Sequence, residues 1–317
     1  MNNNTEILKG LVIRTSHNII VVRIDSKDGG RELECRIKGK VLKGCENLYN
    51  PIAPGDWVLV EHQKQTEKAL VLSVEKRRNF FSRFNQKGSA SQLLAANADI
   101  VLCITSPASP PFRPRFLDRI LLQADIAEIE PIVICNKTDL EFDDIDFEER
   151  LEEYSRIGYK LFRISAKTGE GIEELRSEIA GKTCVLSGQS GVGKSSIINA
   201  LNPGLNLREG KLNEKYDRGV HTTTMSILLE FSDGTKLIDT PGFRVFLPDR
   251  VQANTVISYL REFAPLEGKC SYGMSCSHKT EPGCKIMEAV HAGVIHEDRY
   301  QSFLHITDDL AESIRKT

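Results

Sequence analysis

Eight consecutive residues, Gly188-Gln189-Ser190-Gly191-Val192-Gly193-Lys194-Ser195, satisfy every fixed position of the pattern G-x-x-x-x-G-K-[ST]. Such a loop works between a buried strand and a helix: its backbone N–H groups converge on phosphate oxygens, and the helix N-terminus adds partial positive charge. The flanks agree. Thr183-Cys184-Val185-Leu186 reads as a short buried strand, and after Ser196 the apolar residues Ile197, Ile198 and Leu201 recur at helical spacing. Lys194 supplies a full positive charge and Ser195 a hydroxyl that suits Mg²⁺. Nucleotide phosphates are therefore expected on Gly188 through Ser196. The competing reading, an ordinary glycine-rich turn, is disfavoured by this strand-loop-helix context.

A phosphate loop does not by itself choose the base. Asn136-Lys137-Thr138-Asp139 follows the apolar run Ile132-Val133-Ile134-Cys135, and a carboxylate at such a strand end can accept hydrogen bonds from guanine N1–H and the exocyclic amine, an edge adenine lacks. An N-K-x-D tetrapeptide alone is a weak signal. Joined to Ser165-Ala166-Lys167 after the strand-like Tyr159–Ile164, it becomes strong, and Asn136, Lys137, Asp139, Ser165, Ala166 and Lys167 are the expected guanine contacts. Leu237-Ile238-Asp239-Thr240-Pro241-Gly242 completes the set: Asp239 is placed to hold a Mg²⁺-bound water and Gly242 to meet a γ-phosphate. An ATP-driven kinase or transport ATPase is disfavoured by the N-K-x-D element.

The order of these motifs is unusual. GTPases ordinarily run phosphate loop, switch I, D-x-x-G, N-K-x-D, S-A-K; here the last two precede the phosphate loop and D-x-x-G comes last. The sheet can still form, because a permutation only relocates termini. With this order the chain resembles the RsgA family, bacterial GTPases of small-subunit ribosome assembly, over nearly its whole length. The resemblance implies GTP hydrolysis with Mg²⁺, binding to the small (30S) ribosomal subunit and its 16S rRNA in late maturation, and release after hydrolysis.

The 317 residues carry a formal net charge of −2, which says little globally. The distribution is more informative: up to residue 83, Lys and Arg outnumber Asp and Glu by 15 to 10. Lys76-Arg77-Arg78-Asn79-Phe80-Phe81-Ser82-Arg83-Phe84 interleaves cations and aromatics without an acid, a composition that suits nucleic acid and equally suits a solvated linker or packed phenylalanines. Five short β-branched segments (9–14, 19–24, 32–37, 56–61 and 69–74) predict a small barrel of OB or SH3-like type. Pro54-Gly55-Asp56-Trp57-Val58 is similar to the family's P-G-D-x-V turn, which favours OB.

Between the phosphate loop and D-x-x-G, Arg218-Gly219-Val220-His221-Thr222-Thr223-Thr224 is the switch I candidate. The resemblance favours Thr223, with Thr222 second, as the threonine that completes the Mg²⁺ shell beside Ser195 and Asp239. Where familiar GTPases place a water-orienting glutamine after D-x-x-G, this chain has Phe243. His221 is the nearest replacement by motif, a surface loop histidine being its rival reading, so Lys194, Thr223 and His221 are the expected catalytic residues. In the tail, Cys270, Cys276, His278 and Cys284 offer three thiolates and an imidazole, enough for a closed, structural Zn²⁺ site. The family has such a cluster at this place, with one residue fewer between the first two cysteines. Cys35, Cys45, Cys103, Cys135 and Cys184 read as core thiols.

The expectation is thus a multidomain chain: an OB-type β-barrel (1–75), a basic linker (76–92), a central α/β circularly permuted P-loop GTPase domain (93–248) and a helical zinc-binding domain (249–317). No signal peptide and no membrane-length apolar run is evident, so a cytoplasmic monomer is expected. The rival class is a non-catalytic, GTP-gated RNA-binding scaffold, which Phe243 favours and Lys194, Ser195 and Asp239 oppose.

Overall fold

The computed structural model describes residues 5–16, 19–25, 30–37, 48–63, 68–140, 145–205 and 226–315. The N-terminal segments form β1 (Thr5–Ser16), β2 (Ile19–Ile24), β3 (Arg31–Ile37), the short β4 (Leu48–Asn50), β5 (Trp57–Gln63) and β6 (Lys68–Val74). Five of them close a barrel in the order β1-β2-β3-β6-β5 with β5 returning to β1, and the β3–β6 pair is parallel. Closure leaves no free edge and encloses Val12, Ile20, Val22, Val58, Val60 and Val71. This connectivity is the OB-like arrangement rather than the SH3-like one.

Residues 76–92, expected as a linker, are mostly structured. β7 (Phe80–Asn85) and β8 (Ala90–Ala96) form an antiparallel hairpin, and β4 pairs with β8. Arg77 turns inward: Nε donates to Asp56 Oδ1 at 2.7 Å and Nη2 to Oδ2 at 2.8 Å, on a fully buried carboxylate. Arg78 pairs with Asp99 at 2.6 Å, and the Arg83 guanidinium lies 4.4 Å from the centroid of the Phe243 ring. Local charge counting misled because the partners are distant in sequence. Arg77→Ala should therefore cost about 3 kcal/mol by stranding the Asp56 charge. Denaturant unfolding checks this; a cost near zero would free Arg77 for an external ligand.

The central sheet is built from β9 (Ile100–Thr105), β10 (Glu130–Asn136), β11 (Lys160–Ile164), β12 (Thr183–Gly188), β13 (Ile227–Glu230) and β14 (Lys236–Asp239). Its order is β11-β10-β9-β12-β14-β13, parallel except for β13, which also meets β1 through Arg14 and Ile227. Strand β9 is buried along its whole length because helices cover both faces. α1 (Pro114–Ile126) and α2 (Ile145–Arg156) lie on one face, α3 (Ile172–Ile179) and α4 (Lys194–Leu201) on the other. α2 carries the acidic run expected as a solvated face, yet Phe147, Arg150, Leu151, Glu153 and Tyr154 are buried.

The chain leaves the sheet after β14 and builds the tail from 3₁₀ turns, α5 (Lys285–His291) and α6 (Glu297–Arg315). Its core of Val256, Leu260, Phe263, Ile286, Phe303 and Ile306 includes Leu122 of α1, so the tail is seated on the central domain.

Candidate functional site

The phosphate loop runs from the end of β12 into α4, as its composition required. Gly193 has φ +93°, and a Cβ there would lie 2.4 Å from Asn136 Nδ2, so only glycine fits. Asn136 uses that approach: Nδ2 donates to Val192 O at 2.9 Å, and Oδ1 accepts from the Ala166 N–H at 3.1 Å. One side chain ties the phosphate loop, N-K-x-D and S-A-K into a single surface at the C-terminal ends of β10, β11 and β12. Lys137 Nζ reaches Gly191 O at 2.8 Å, and Asp139 Oδ1 accepts from Ser165 Oγ at 2.7 Å. The Ser165 hydrogen bond, chiefly, holds the Asp139 carboxyl below its ordinary pKa, so it stands ionised and ready to accept.

At the other end of the loop, Lys194 Nζ lies 3.4 Å from Gly188 O and Gln189 O. Burial lowers its pKa, opposed by Asp239. Burial pushes Asp239 up to about 6, Lys194 opposing, and its Oδ1 is buried without a hydrogen-bond partner. A carboxylate oxygen desolvated yet unsatisfied, beside Lys194 of the phosphate loop, suits a divalent cation's donor set. A Cβ on Gly242 would come within 2.8 Å of Ser190 Cα and 3.2 Å of Lys194 Nζ, so the D-x-x-G glycine rests directly on the phosphate loop. His221, Thr222 and Thr223 lie outside the described residues.

Phe243 sits 6% exposed in a cluster with Phe81, Phe116 and Phe246, its ring edge-on to Phe246 at 5.9 Å. The position after D-x-x-G thus anchors switch II to the β7–β8 hairpin. Asp249 reinforces the link by accepting from Ser82 Oγ at 2.6 Å and Ser91 Oγ at 2.7 Å. Arg83 stood out only as one cation of the basic run, without its place over Phe243, and Asp249 did not stand out at all, because its serine partners are more than a hundred residues away.

In the tail, the four donor atoms of Cys270, Cys276, His278 and Cys284 lie within 4.8 Å of one another. His278 Nδ1 is 3.5 Å from both Cys270 Sγ and Cys284 Sγ, and those sulfurs are 3.9 Å apart. With a Zn–S bond of about 2.3 Å a tetrahedron has S–S edges of about 3.8 Å, so the spacing fits a metal of that size. The long Cys270–Cys276 loop is absorbed by a 3₁₀ turn, Gly273–Ser275. Around His278, Glu281 accepts the N–H groups of Ser277, Lys279 and Thr280, and hydrogen bonding from Ser277, chiefly, holds its carboxyl down to about 2.

A parallel sheet carrying phosphate loop, D-x-x-G, N-K-x-D and S-A-K on neighbouring strand ends defines a P-loop GTPase, here with its motif order permuted. Comparison with known proteins agrees. The RsgA GTPase family model matches residues 74–247, so the chain belongs to the RsgA GTPase family. The small ribosomal subunit biogenesis GTPase RsgA of Bacteroides fragilis is 36% identical over 310 residues, spanning 96% of this chain and 98% of its own. The protein of the same name from Chlorobaculum parvum is 35% identical across 97% of this chain and 99% of its own. The crystal structure of YjeQ from Thermotoga maritima superposes with TM-score 0.68 at 31% identity, covering 96% of this chain and 99% of that one. YloQ, a circularly permuted GTPase, shares the fold at TM-score 0.66 and 23% identity, with 98% of each chain covered.

Proposed function

We propose that this protein hydrolyses GTP while seated on the small (30S) ribosomal subunit during late maturation, contacting 16S rRNA, and leaves once GTP is spent. Membership of a GTPase family whose relatives are named for small-subunit biogenesis supports this. The observation that carries it is the convergence on Asn136, which fixes base-reading and phosphate-reading loops relative to each other. Asp139 reads guanine, Lys137 and the S-A-K loop flank the ring, and Gly188–Ser196 with Lys194 receive the phosphates. Mg²⁺ bound with GTP would neutralise phosphate charge and would be held by Ser195, Asp239 and Thr223. Gly242, packed on Ser190, is placed to sense the γ-phosphate.

Phe243 cannot orient water, and it is buried. We therefore assign water positioning to His221, brought into place when the subunit orders switch I. Phe243 also keeps the second reading alive, in which GTP only gates RNA binding. Turnover measured with and without 30S subunits separates the two: strong stimulation is expected, and none would leave the scaffold. His221→Ala should lose the stimulated rate; wild-type turnover in that variant would remove the histidine alone. Subunit affinity should be higher with a non-hydrolysable GTP analogue than with GDP, and by linkage the subunit should tighten the analogue by the same factor.

We assign the tail cluster to one structural Zn²⁺, within the domain limits 1–75, 76–92, 93–248 and 249–317, the second being a hairpin-bearing connection. No helix among the described residues is long and apolar enough to cross a membrane; a cytoplasmic monomer is our reading. Elemental analysis should find one zinc per chain, and Cys276→Ser with Cys284→Ser should lose it while GTP binding persists. A structural Zn²⁺ contributes on the order of 10 kcal/mol to folding in finger peptides. Full zinc content in the double variant would refute the ligand set.

A further inference from the structure

The segment Pro110-Pro111-Phe112-Arg113-Pro114-Arg115-Phe116 leads into α1 with no acid in it. In the fold it meets the residues just after switch II and Asp309 in the second half of α6, and together they line an open cleft of about 410 Å³. Four arginines face this cleft: Arg113, Arg115, Arg119 and Arg244. Among the described residues Asp309 is the lone acid lining it, and it is taken by Arg119 at 2.5 Å. Arg113, Arg115 and Arg244 are exposed, and none of their guanidinium groups has a hydrogen-bond or ion-pair partner among the described residues. The contrast with Arg77, Arg78, Arg150, Arg261 and Arg299 is sharp, since each of those is matched to a carboxylate.

Three unmatched guanidinium groups around one concavity hold a field that only an anion can relieve. The first turn of α1 adds to it, because Pro114 stands at the helix start, no side chain caps that end and no acid lies in its first turn. Arginine rather than lysine favours planar, bidentate partners such as phosphodiesters. The cleft also has apolar surface suited to a base or ribose: Phe112 is half-buried and Val245 is 66% exposed. Its open shape, spread over three chain segments, suits a strand that passes through.

We propose that this cleft docks the phosphodiester backbone of an RNA strand, through Arg113, Arg115 and Arg244. It is separate from the barrel and places an RNA contact two residues beyond Gly242. The proposal deepens the small-subunit reading and rests on it for the source of the RNA.

The test uses the full chain with Arg113→Ala, Arg115→Ala and Arg244→Ala together, and a triple Arg→Lys variant that keeps charge. Binding is measured across a salt series to a uridine oligonucleotide of about 12 nucleotides, to poly-glutamate, and to 30S subunits. The alanine variant should lose roughly tenfold to a hundredfold in RNA affinity, with a salt slope shallower by about 2, while the lysine variant keeps most of the slope and GTP binding is unchanged in both. Unaltered RNA affinity and slope in the alanine variant would overturn the proposal. So would a loss confined to poly-glutamate, which would mark an acidic protein partner. Failure of the wild-type protein to bind 30S subunits would sink the functional reading instead, and the oligonucleotide series would still decide the cleft.

Discussion

Replacing Asp139 by asparagine is expected to lower GTP affinity on the order of 10⁴-fold and to raise xanthosine triphosphate above it. The carboxylate presents acceptors only, whereas the carboxamide puts an N–H₂ against the donors of guanine, and a site built around hydrogen bonds rejects mismatched partners by such factors. The geometry sharpens the expectation. Asp139 Oδ1 already accepts from Ser165 Oγ at 2.7 Å and Oδ2 faces Lys167 Nζ at 3.4 Å, so in the amide the oxygen is favoured by Lys167 and the N–H₂ is left to the Ser165 hydroxyl and the base. Xanthine, with a carbonyl where guanine has its exocyclic amine, can accept from the new amide. Competition binding with GTP, XTP and ATP checks it. Retained GTP preference in the variant would move base recognition away from this carboxylate.

Asp118→Ala should destabilise the protein by about 3–5 kcal/mol and loosen the tail from the central domain. Asp118 on α1 is fully buried and accepts from Arg150 at 2.8 Å, Arg299 at 2.7 Å and the Tyr154 hydroxyl at 2.6 Å. Arg299 in α6 is held in turn by Glu262 at 2.5 and 3.0 Å. The network is charge-balanced, and it joins α1 and α2 to the tail. Deleting one acid leaves two guanidinium groups in a desolvated site with one carboxylate between them, the case in which breaking a buried pair is costly. Burial by itself would raise the Asp118 pKa, but Arg150, Arg299 and the Tyr154 hydroxyl outweigh it and hold the carboxyl below its ordinary value. A depressed folded pKa means the stabilisation is complete above the unfolded value, about 3.9, and drains away as pH falls through the folded one. The wild-type advantage over Asp118→Ala should thus be flat near neutrality and shrink below about pH 4. Denaturant unfolding at several pH values decides it, and a cost under about 1 kcal/mol would make the network dispensable.

The two variants probe different kinds of information. Asp139 is readable from four adjacent letters, since the N-K-x-D chemistry is local and its strand announces itself by an unbroken apolar run. Asp118 and Arg299 stand 181 positions apart, and nothing near either names the other. Arg77 shows the same failure in a form that misled: beside Lys76 and Arg78 it reads as part of a basic patch, yet it is the counter-ion of the buried Asp56 in the P-G-D turn. Arg150 lies in an acidic run that reads as solvated, and it is 1% exposed.

Phosphate loop, D-x-x-G, N-K-x-D, S-A-K and the Cys-His cluster were determined by the sequence alone, because each needs particular residue types at short spacing: glycine for close backbone approach, a carboxylate at a strand end, thiolates a few residues apart. Their order, and hence the permutation, needed only reading along the chain. Tertiary structure alone decided which charges were spent and which stayed free. An ion pair is set by distance in space, and chain closure brings Asp56 to Arg77, Asp118 to Arg299 and Asp249 to Ser82 while leaving Arg113, Arg115 and Arg244 unmatched around one cleft. Only the fold, likewise, buried Phe243 against Phe246 and put an anchor between switch II and the hairpin where the glutamine is absent.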